Sequence, residues 1–404
     1  MNESILNQKM SEAVFSGNVF VIEILLELGA SMNLEGLSKE HLNKLFLVAV
    51  EYNNPKILKS VIDRGANVNL KKKTGFTALH DSIENAEIVR MLIDARANVN
   101  IKDSHYGQTP LFGRINDKTA RMLVRARAYV NIKDKAGWAP LHYASSNSEL
   151  STYSRIKNSP EIVQILINLG ANVNWRGNEK MTPLFIAVRD NCPEIVQILI
   201  DAGADVNIRG SGKMTPLLIA VKNNSPQIVK MLIDAGADVH MRDAHGETCL
   251  YYASYSNSPE IAQMLIDAGI DIRIKDKKNG TALHSAAMFN SPEIAQMLVD
   301  AGADINAIDN NGFTPLHRTA RNNSPKVAQI LIDAGADMNI QDDLGYSPLL
   351  LTSRWNRPEV AKILIDAGAD ITLRAATGRT ALKLANAKGR KEISQMLKIA
   401  KQRN

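Results

Sequence analysis

The sequence predicts an all-α solenoid of stacked helix-turn-helix units with projecting β-hairpin-like loops. Three recurring signals predict it. A glycine in "DAGAD" or a close variant falls at Gly170, Gly203, Gly236, Gly269, Gly302, Gly335 and Gly368, with a step of 33 each time. A tetrapeptide like "TPLH" recurs as TALH at 77–80, TPLF at 109–112, APLH at 139–142, TPLF at 182–185 and TPLL at 215–218. It continues as TCLY at 248–251, TALH at 281–284, TPLH at 314–317, SPLL at 347–350 and TALK at 380–383. Between the two markers lies a Ser-Pro pair, at 159–160, 225–226, 258–259, 291–292 and 324–325. Self-similarity at a fixed period of roughly 20 to 50 residues is the mark of a repeat architecture.

Each element follows from local chemistry, and residues 311–339, "NGFTPLHRTARNNSPKVAQILIDAGADMN", show it in full. Thr314 suits an N-cap, and Pro315 follows at the first helical position, where its missing N–H costs nothing. A short helix over about 315–322 follows. Asn323 is placed to end it, Ser324 to cap the next and Pro325 to open it. Glu161, Glu260 and Glu293 stand just after the Ser-Pro pair in their copies, where the helix dipole favours negative charge. The second helix carries Val327, Ile330 and Leu331 as an apolar stripe at helical spacing. Gly335 occupies the left-handed C-terminal cap, and a loop rich in Asp, Asn and Gly leads to the next Thr. One helix pair cannot bury its apolar face alone, but stacked on neighbours it can.

The period, the TPLH tetrapeptide and the "L-x-x-x-G-A-D-V-N" run together resemble the ankyrin repeat. The resemblance covers nearly the whole chain, as about twelve units. It implies an ankyrin-repeat solenoid over 1–404, with an N-terminal capping repeat at 1–34, central repeats at 35–379 and a C-terminal capping repeat at 380–404. It also implies a curved array in which first helices and hairpin fingers line a concave face. The second unit has "KLFL" in place of TPLH, and an insertion, "SELSTYSRIK" at 148–157, lengthens one helix–helix turn. Because both termini read as caps, no appended catalytic domain is expected. Arg96 and Arg127 stand where the cap glycine belongs, which marks repeats three and four as the expected weak point.

Bulk properties narrow the function classes. Lys+Arg 48 against Asp+Glu 42 gives a net charge of +6 with no like-charge block, so wholesale nucleic-acid binding is not indicated. No apolar run long enough to span a membrane exists, and the N-terminus has no signal-peptide pattern. Cys192 and Cys249 sit in different repeats, which suggests a reducing compartment and no disulfide. The expectation is therefore a monomeric cytoplasmic protein, or one that reaches a host cytosol by a route needing no N-terminal signal.

No catalytic residue, metal site or cofactor is expected. His80, His142, His284 and His317 each stand alone in their units, without a second ligand at metal spacing, and the resemblance assigns them a structural hydrogen-bonding role. "GSGKMT" at 210–215 lacks the leading glycine of a phosphate loop. The resemblance extends to hydroxylase-modified ankyrin proteins, which makes Asn207, Asn306 and Asn339 candidate modification sites in an animal cytosol.

Comparison between copies is more informative. Residues 258–269 and 291–302 are nearly identical, whereas the fifth, eighth and ninth residues counted from Thr vary. On a helix those positions share a face, which the resemblance places on the concave side. They include Tyr143, Arg189, Tyr252, Tyr255, Met288, Phe289, Arg318, Arg321, Arg354 and Trp355. Tyr, Trp, Arg and Met are types enriched at interfaces. Trp138, Lys133 and Lys135 on one finger complete the candidate partner-binding set. The expected function is a non-enzymatic scaffold that binds a protein, in the manner of a host-directed effector. The alternatives are an inhibitor or immunity protein that blocks an enzyme or toxin, and a polyanion binder using the basic fingers.

Overall fold

The computed structural model describes residues 3–16, 18, 21–22, 38–113, 115–147 and 159–403. The 148–157 insertion and half of the 1–34 cap lie outside the described residues. Chain contacts divide the protein into two compact units, Met1–Ala204 and Asp205–Asn404. Among the described residues there is no β-strand, only isolated bridges at Lys71–Thr77 and Arg374–Thr380.

In the Asp205–Asn404 unit the first helices are Pro216–Lys222, Cys249–Tyr255, Ala282–Phe289, Pro315–Asn322, Pro348–Trp355 and Ala381–Ala387. Each packs on the next to form one layer. The second helices, Pro226–Asp234, Pro259–Asp267, Pro292–Asp300, Pro325–Asp333, Pro358–Asp366 and Lys391–Arg403, form the other. The Met1–Ala204 unit repeats the scheme less regularly. Its first helices shrink to Ala78–Asp81 and to a 3-10 turn, Pro110–Phe112, in the third and fourth repeats.

Threonine caps form as expected in several repeats, whereas four of the five Ser-Pro serines do not cap with their side chains. Thr182 and Thr215 accept from the N–H groups of Phe185 and Leu218 at 3.3 and 3.2 Å. Asn323 ends its helix in the left-handed region, at φ 65°, a conformation Asn tolerates better than most residues. Ser324 does not cap the second helix with its side chain. Its Oγ donates instead to the Ala287 carbonyl of the preceding repeat at 2.7 Å, and Ser291 does the same to Ser254 at 2.8 Å. Ser159 alone of the Ser-Pro serines makes the expected cap, accepting from Ile162 N–H at 3.3 Å. In the second helix Val327, Ala328 and Leu331 are buried, whereas Ile330 is half-buried. The buried stripe is thus rotated by one residue toward Ala328, a small side chain on the packed face.

Arg96 and Arg127 do occupy the left-handed cap, at φ 61° and 70°. At the equivalent Gly203 and Gly236 an added Cβ would meet nothing within 4 Å, so the cost of a side chain there is conformational rather than steric crowding. Arg96→Gly and Arg127→Gly are each expected to stabilise the chain by about 1 kcal/mol. Urea-unfolding midpoints would read this, and an unchanged midpoint in both would contradict it.

Four imidazoles tie neighbouring repeats. The backbone N–H groups of Thr77, Ala139, Thr281 and Thr314 donate to Nδ1 of His80, His142, His284 and His317 at 3.1–3.2 Å. A backbone N–H can only donate, so Nδ1 is unprotonated and Nε2 carries the hydrogen. Nε2–H then donates across to the next repeat, at Gln108 (3.1 Å), Trp175 (3.0 Å), Phe313 (2.9 Å) and Tyr346 (3.0 Å) carbonyls. Burial holds all four below the ordinary imidazole range, His142 and His317 at about 4.

The fingers are held by a buried carboxylate at their base. Asp309 Oδ1 accepts from Asn311 and Phe313 N–H at 2.8 and 3.1 Å, which closes the tight turn. Asp134, Asp243 and Asp342 close theirs through the same oxygen.

Candidate protein-binding face

Of the predicted set, Lys133, Lys135, Trp138, Tyr143 and Arg189 lie in the Met1–Ala204 unit. Tyr143 is buried, and its hydroxyl donates to Asp134 Oδ2 at 2.6 Å. Burial raises this phenol well above its usual range. Trp138 stacks on His142 at 6.0 Å and tilts against Tyr143 at 5.2 Å. A Cβ on Gly177 would approach the Trp138 ring to 2.5 Å, so the next finger lies directly on this indole. Arg189 pairs with Asp190 at 2.8 Å, and Asp190 also accepts from Ser146 Oγ at 2.7 Å. Lys133 and Lys135 are exposed, but Lys135 Nζ donates to the Ser104 carbonyl of the adjacent finger at 2.7 Å. Lys71 and Lys102 reach neighbouring-finger carbonyls in the same way, at 2.8 and 2.7 Å.

The other predicted residues form two groups in the Asp205–Asn404 unit. The first is aromatic. Phe289 meets Tyr255 and Tyr251 edge-on, each at 5.3 Å between ring centres. Tyr255 is 56% exposed. Met288, beside it, is half-buried, and its carbonyl accepts from Asn322 Nδ2 at 2.8 Å. Tyr252 is buried like Tyr143, with its hydroxyl on Asp243 Oδ2 at 2.9 Å and Lys222 Nζ 5.7 Å over its ring. Nearby Glu247 is pushed up to about 7 by burial and by the carboxylates of Asp276 and Asp243.

The second group combines guanidinium and indole. Arg321 and Arg354 lie 5.8 and 5.7 Å from the Trp355 ring centre. Both arginines are exposed, as is Trp355 at 43%. Arg354 also covers the Tyr346 ring at 5.1 Å and donates to its hydroxyl at 2.8 Å. Arg318 behaves differently. It is paired with the fully buried Asp309 carboxylate and lies 5.2 Å over Phe313. A cleft of about 390 Å³ opens here, lined by Phe313, Arg321, Asp342, Leu344, Arg354 and Trp355 among others.

The fifth-position side chains Tyr143, Tyr252 and Arg318 therefore bind the finger-base carboxylate of their own repeat. The eighth- and ninth-position side chains Tyr255, Arg321, Arg354 and Trp355 remain at the surface. Sequence reading missed Tyr251, Phe313, Leu344 and Tyr346, which complete these clusters. Their signal was present: an aromatic residue precedes the Thr-like cap at Phe76, Phe313 and Tyr346, and Tyr251 replaces the histidine of TPLH.

Other sequence candidates resolve simply. Asn207, Asn306 and Asn339 bridge consecutive repeats, accepting from Asp238, Asp337 and Asp370 N–H at 2.7–2.9 Å. Cys192 and Cys249 are free and buried, and burial pushes the Cys249 thiol up to about 12. Asp309 and Asp342 are buried turn residues, whereas Asp343 is exposed. Among the described residues no cluster of His, Cys, Asp and Glu is placed to hold a metal ion, and no helix is long and apolar enough to cross a membrane.

Comparison with protein-family models agrees with this architecture. The family model for ankyrin repeats (3 copies) matches residues 45–134, 114–210, 210–276, 272–342 and 320–403. No curated protein matches the chain. Among solved structures it is similar to the ankyrin repeat domain of Bcl-3, described as a unique member of the IkappaB protein family. That match has 31% identity and a TM-score of 0.48, and it covers 55% of this chain and 100% of that one. Proteins built from such repeats generally serve as non-catalytic scaffolds that bind other proteins. With family matches running from 45 to 403, this chain belongs to the ankyrin-repeat family.

Proposed function

We propose that the chain binds a protein partner through the finger side of its first-helix layer in the Asp205–Asn404 unit. Tyr255, Phe289, Arg321, Arg354 and Trp355 serve as anchors. The observation that carries this reading is the exposure of Tyr255 and Trp355, each packed into a cluster on a rigid helix. Exposed aromatic and guanidinium clusters supply most of the energy in protein interfaces. Helices fixed by inter-repeat hydrogen bonds lose little conformational entropy on binding. The protein then acts by occupying or masking its partner. The near-identity of 258–269 and 291–302 supports recent duplication, and with it the role of a host-directed effector. Polyanion binding is less well supported, because Lys71, Lys102 and Lys135 already donate to neighbouring fingers.

A displayed random-peptide library selected on the full chain tests this. Enriched peptides are expected to lose at least ~100-fold in affinity for a Tyr255→Ala, Phe289→Ala, Trp355→Ala variant. Undiminished binding to that variant, with wild-type circular dichroism and melting, would remove the face from consideration.

A further inference from the structure

The repeats themselves show what the cleft beside Trp355 lacks. At the base of three fingers both oxygens of the buried carboxylate are used. Oδ1 closes the turn, and Oδ2 takes a donor from the fifth residue of the following helix: Tyr143 on Asp134, Tyr252 on Asp243, and Arg318 on Asp309. Asp342 is equally buried, at 7% exposure, and its Oδ1 accepts from Leu344 and Tyr346 N–H at 2.9 and 2.7 Å. Its fifth-position residue is Leu351, which has no donor, and Asp342 Oδ2 accepts no hydrogen bond from any described residue. Asp342 and Leu351 both line the cleft. Asp342 Oδ2 is not fully buried, so it meets solvent through the cleft, and a donor entering there would take the place of water.

We propose that this cleft receives a tyrosine side chain from the protein partner, with its hydroxyl donating to Asp342 Oδ2. This proposal rests on the protein-binding reading above. The occupant is chosen by three features. The protein fills the equivalent place with a tyrosine twice, so phenol geometry suits this carboxylate. The cleft volume of about 390 Å³ is enough to admit a phenol ring. Its walls carry Arg321 and Arg354, which repel an incoming ammonium or guanidinium but lie favourably over an aromatic face. Phenylalanine would fill the space and leave Oδ2 unmet.

The test uses the ¹⁵N-labelled full chain and two small probes, N-acetyl-tyrosinamide and N-acetyl-phenylalaninamide. The protein has three tryptophans, so the Trp355 indole N–H signal can be assigned with a Trp355→Phe variant. That signal is expected to shift on titration with the tyrosine probe, with affinity about ten-fold tighter than for the phenylalanine probe. Leu351→Tyr should reproduce the Tyr143 and Tyr252 arrangement internally. It is expected to abolish binding of the probe and to melt above Leu351→Phe. Equal affinities for the two probes, no shift with either, or undiminished binding to Leu351→Tyr would overturn the proposal. The probe comparison needs only the wild-type protein, so a variant that fails to fold does not blunt it. If library peptides still depend on Tyr255, Phe289 and Trp355 but show no tyrosine requirement, the tyrosine seat falls while the binding face stands.

Discussion

Lowering the pH from 7 to 5 is expected to destabilise the protein by about 2 kcal/mol for each of His142 and His317. Both imidazoles are buried and held at about 4, whereas in the unfolded chain they titrate near the ordinary imidazole value of 6.5. A depressed histidine binds its proton more readily when unfolded. Its contribution is therefore complete above pH 6.5 and is lost as the pH falls toward 4. His80 and His284 are shifted in the same direction and add to the loss. Glu247 works the other way. Its carboxyl, raised from 4.5 to about 7, holds a proton in the folded state through this window. The Met1–Ala204 unit, which has no upward-shifted carboxyl among its described residues, should show the steeper response. Urea midpoints at pH 7, 6 and 5 would measure it. His142→Gln should remove about one proton from the pH dependence, and an unchanged slope would contradict the assignment.

Asp309→Ala is expected to cost about 3–5 kcal/mol, among the largest losses available to a single substitution outside the apolar core. It strands the Arg318 guanidinium, whose side chain is only 17% exposed, beside a site where the carboxylate was wholly buried. It also frees the N–H groups of Asn311 and Phe313. Asp342→Ala frees two N–H groups but strands no cation, because its second oxygen has no donor. Its cost should be nearer about 1–2 kcal/mol. Asp309→Ala combined with Arg318→Met should recover part of the loss, since the unpaired charge goes with it. Equal losses for the two aspartates, read from denaturant unfolding, would show that the Oδ2 partner contributes nothing.

The sequence made the elements legible because their signals are local. The TPLH threonines, the prolines behind them and the cap glycines act within a turn or two, and they form helix ends as expected. Even the rule-breaking Arg96 and Arg127 could be placed in the left-handed region from spacing alone. Bonds between repeats were harder to read. Ser324 looks like a cap from its neighbours, but the Ala287 carbonyl, 37 positions earlier, takes its hydroxyl. The fifth-position residues looked like free surface because they vary, yet Tyr143, Tyr252 and Arg318 vary in answer to a constraint. Each must supply a donor to an aspartate nine residues upstream. That spacing is visible once the pairing is known, but no local rule announces it. The eighth and ninth positions have no such obligation, and Tyr255 and Trp355 remain at the surface.

The imidazole links also set how tension passes along the array. Two successive joints in the Asp205–Asn404 unit are strapped this way, His284 to Phe313 and His317 to Tyr346. At the corresponding positions of other repeats stand Phe185, Leu218, Leu350 and Lys383, none of which can make that span as an imidazole does. The joints of this unit are thus not equivalent. Within the Asp205–Asn404 unit the two strapped joints run in series beneath Phe313 and Tyr346, so displacing one of these three repeats there must strain a hydrogen bond to its neighbour.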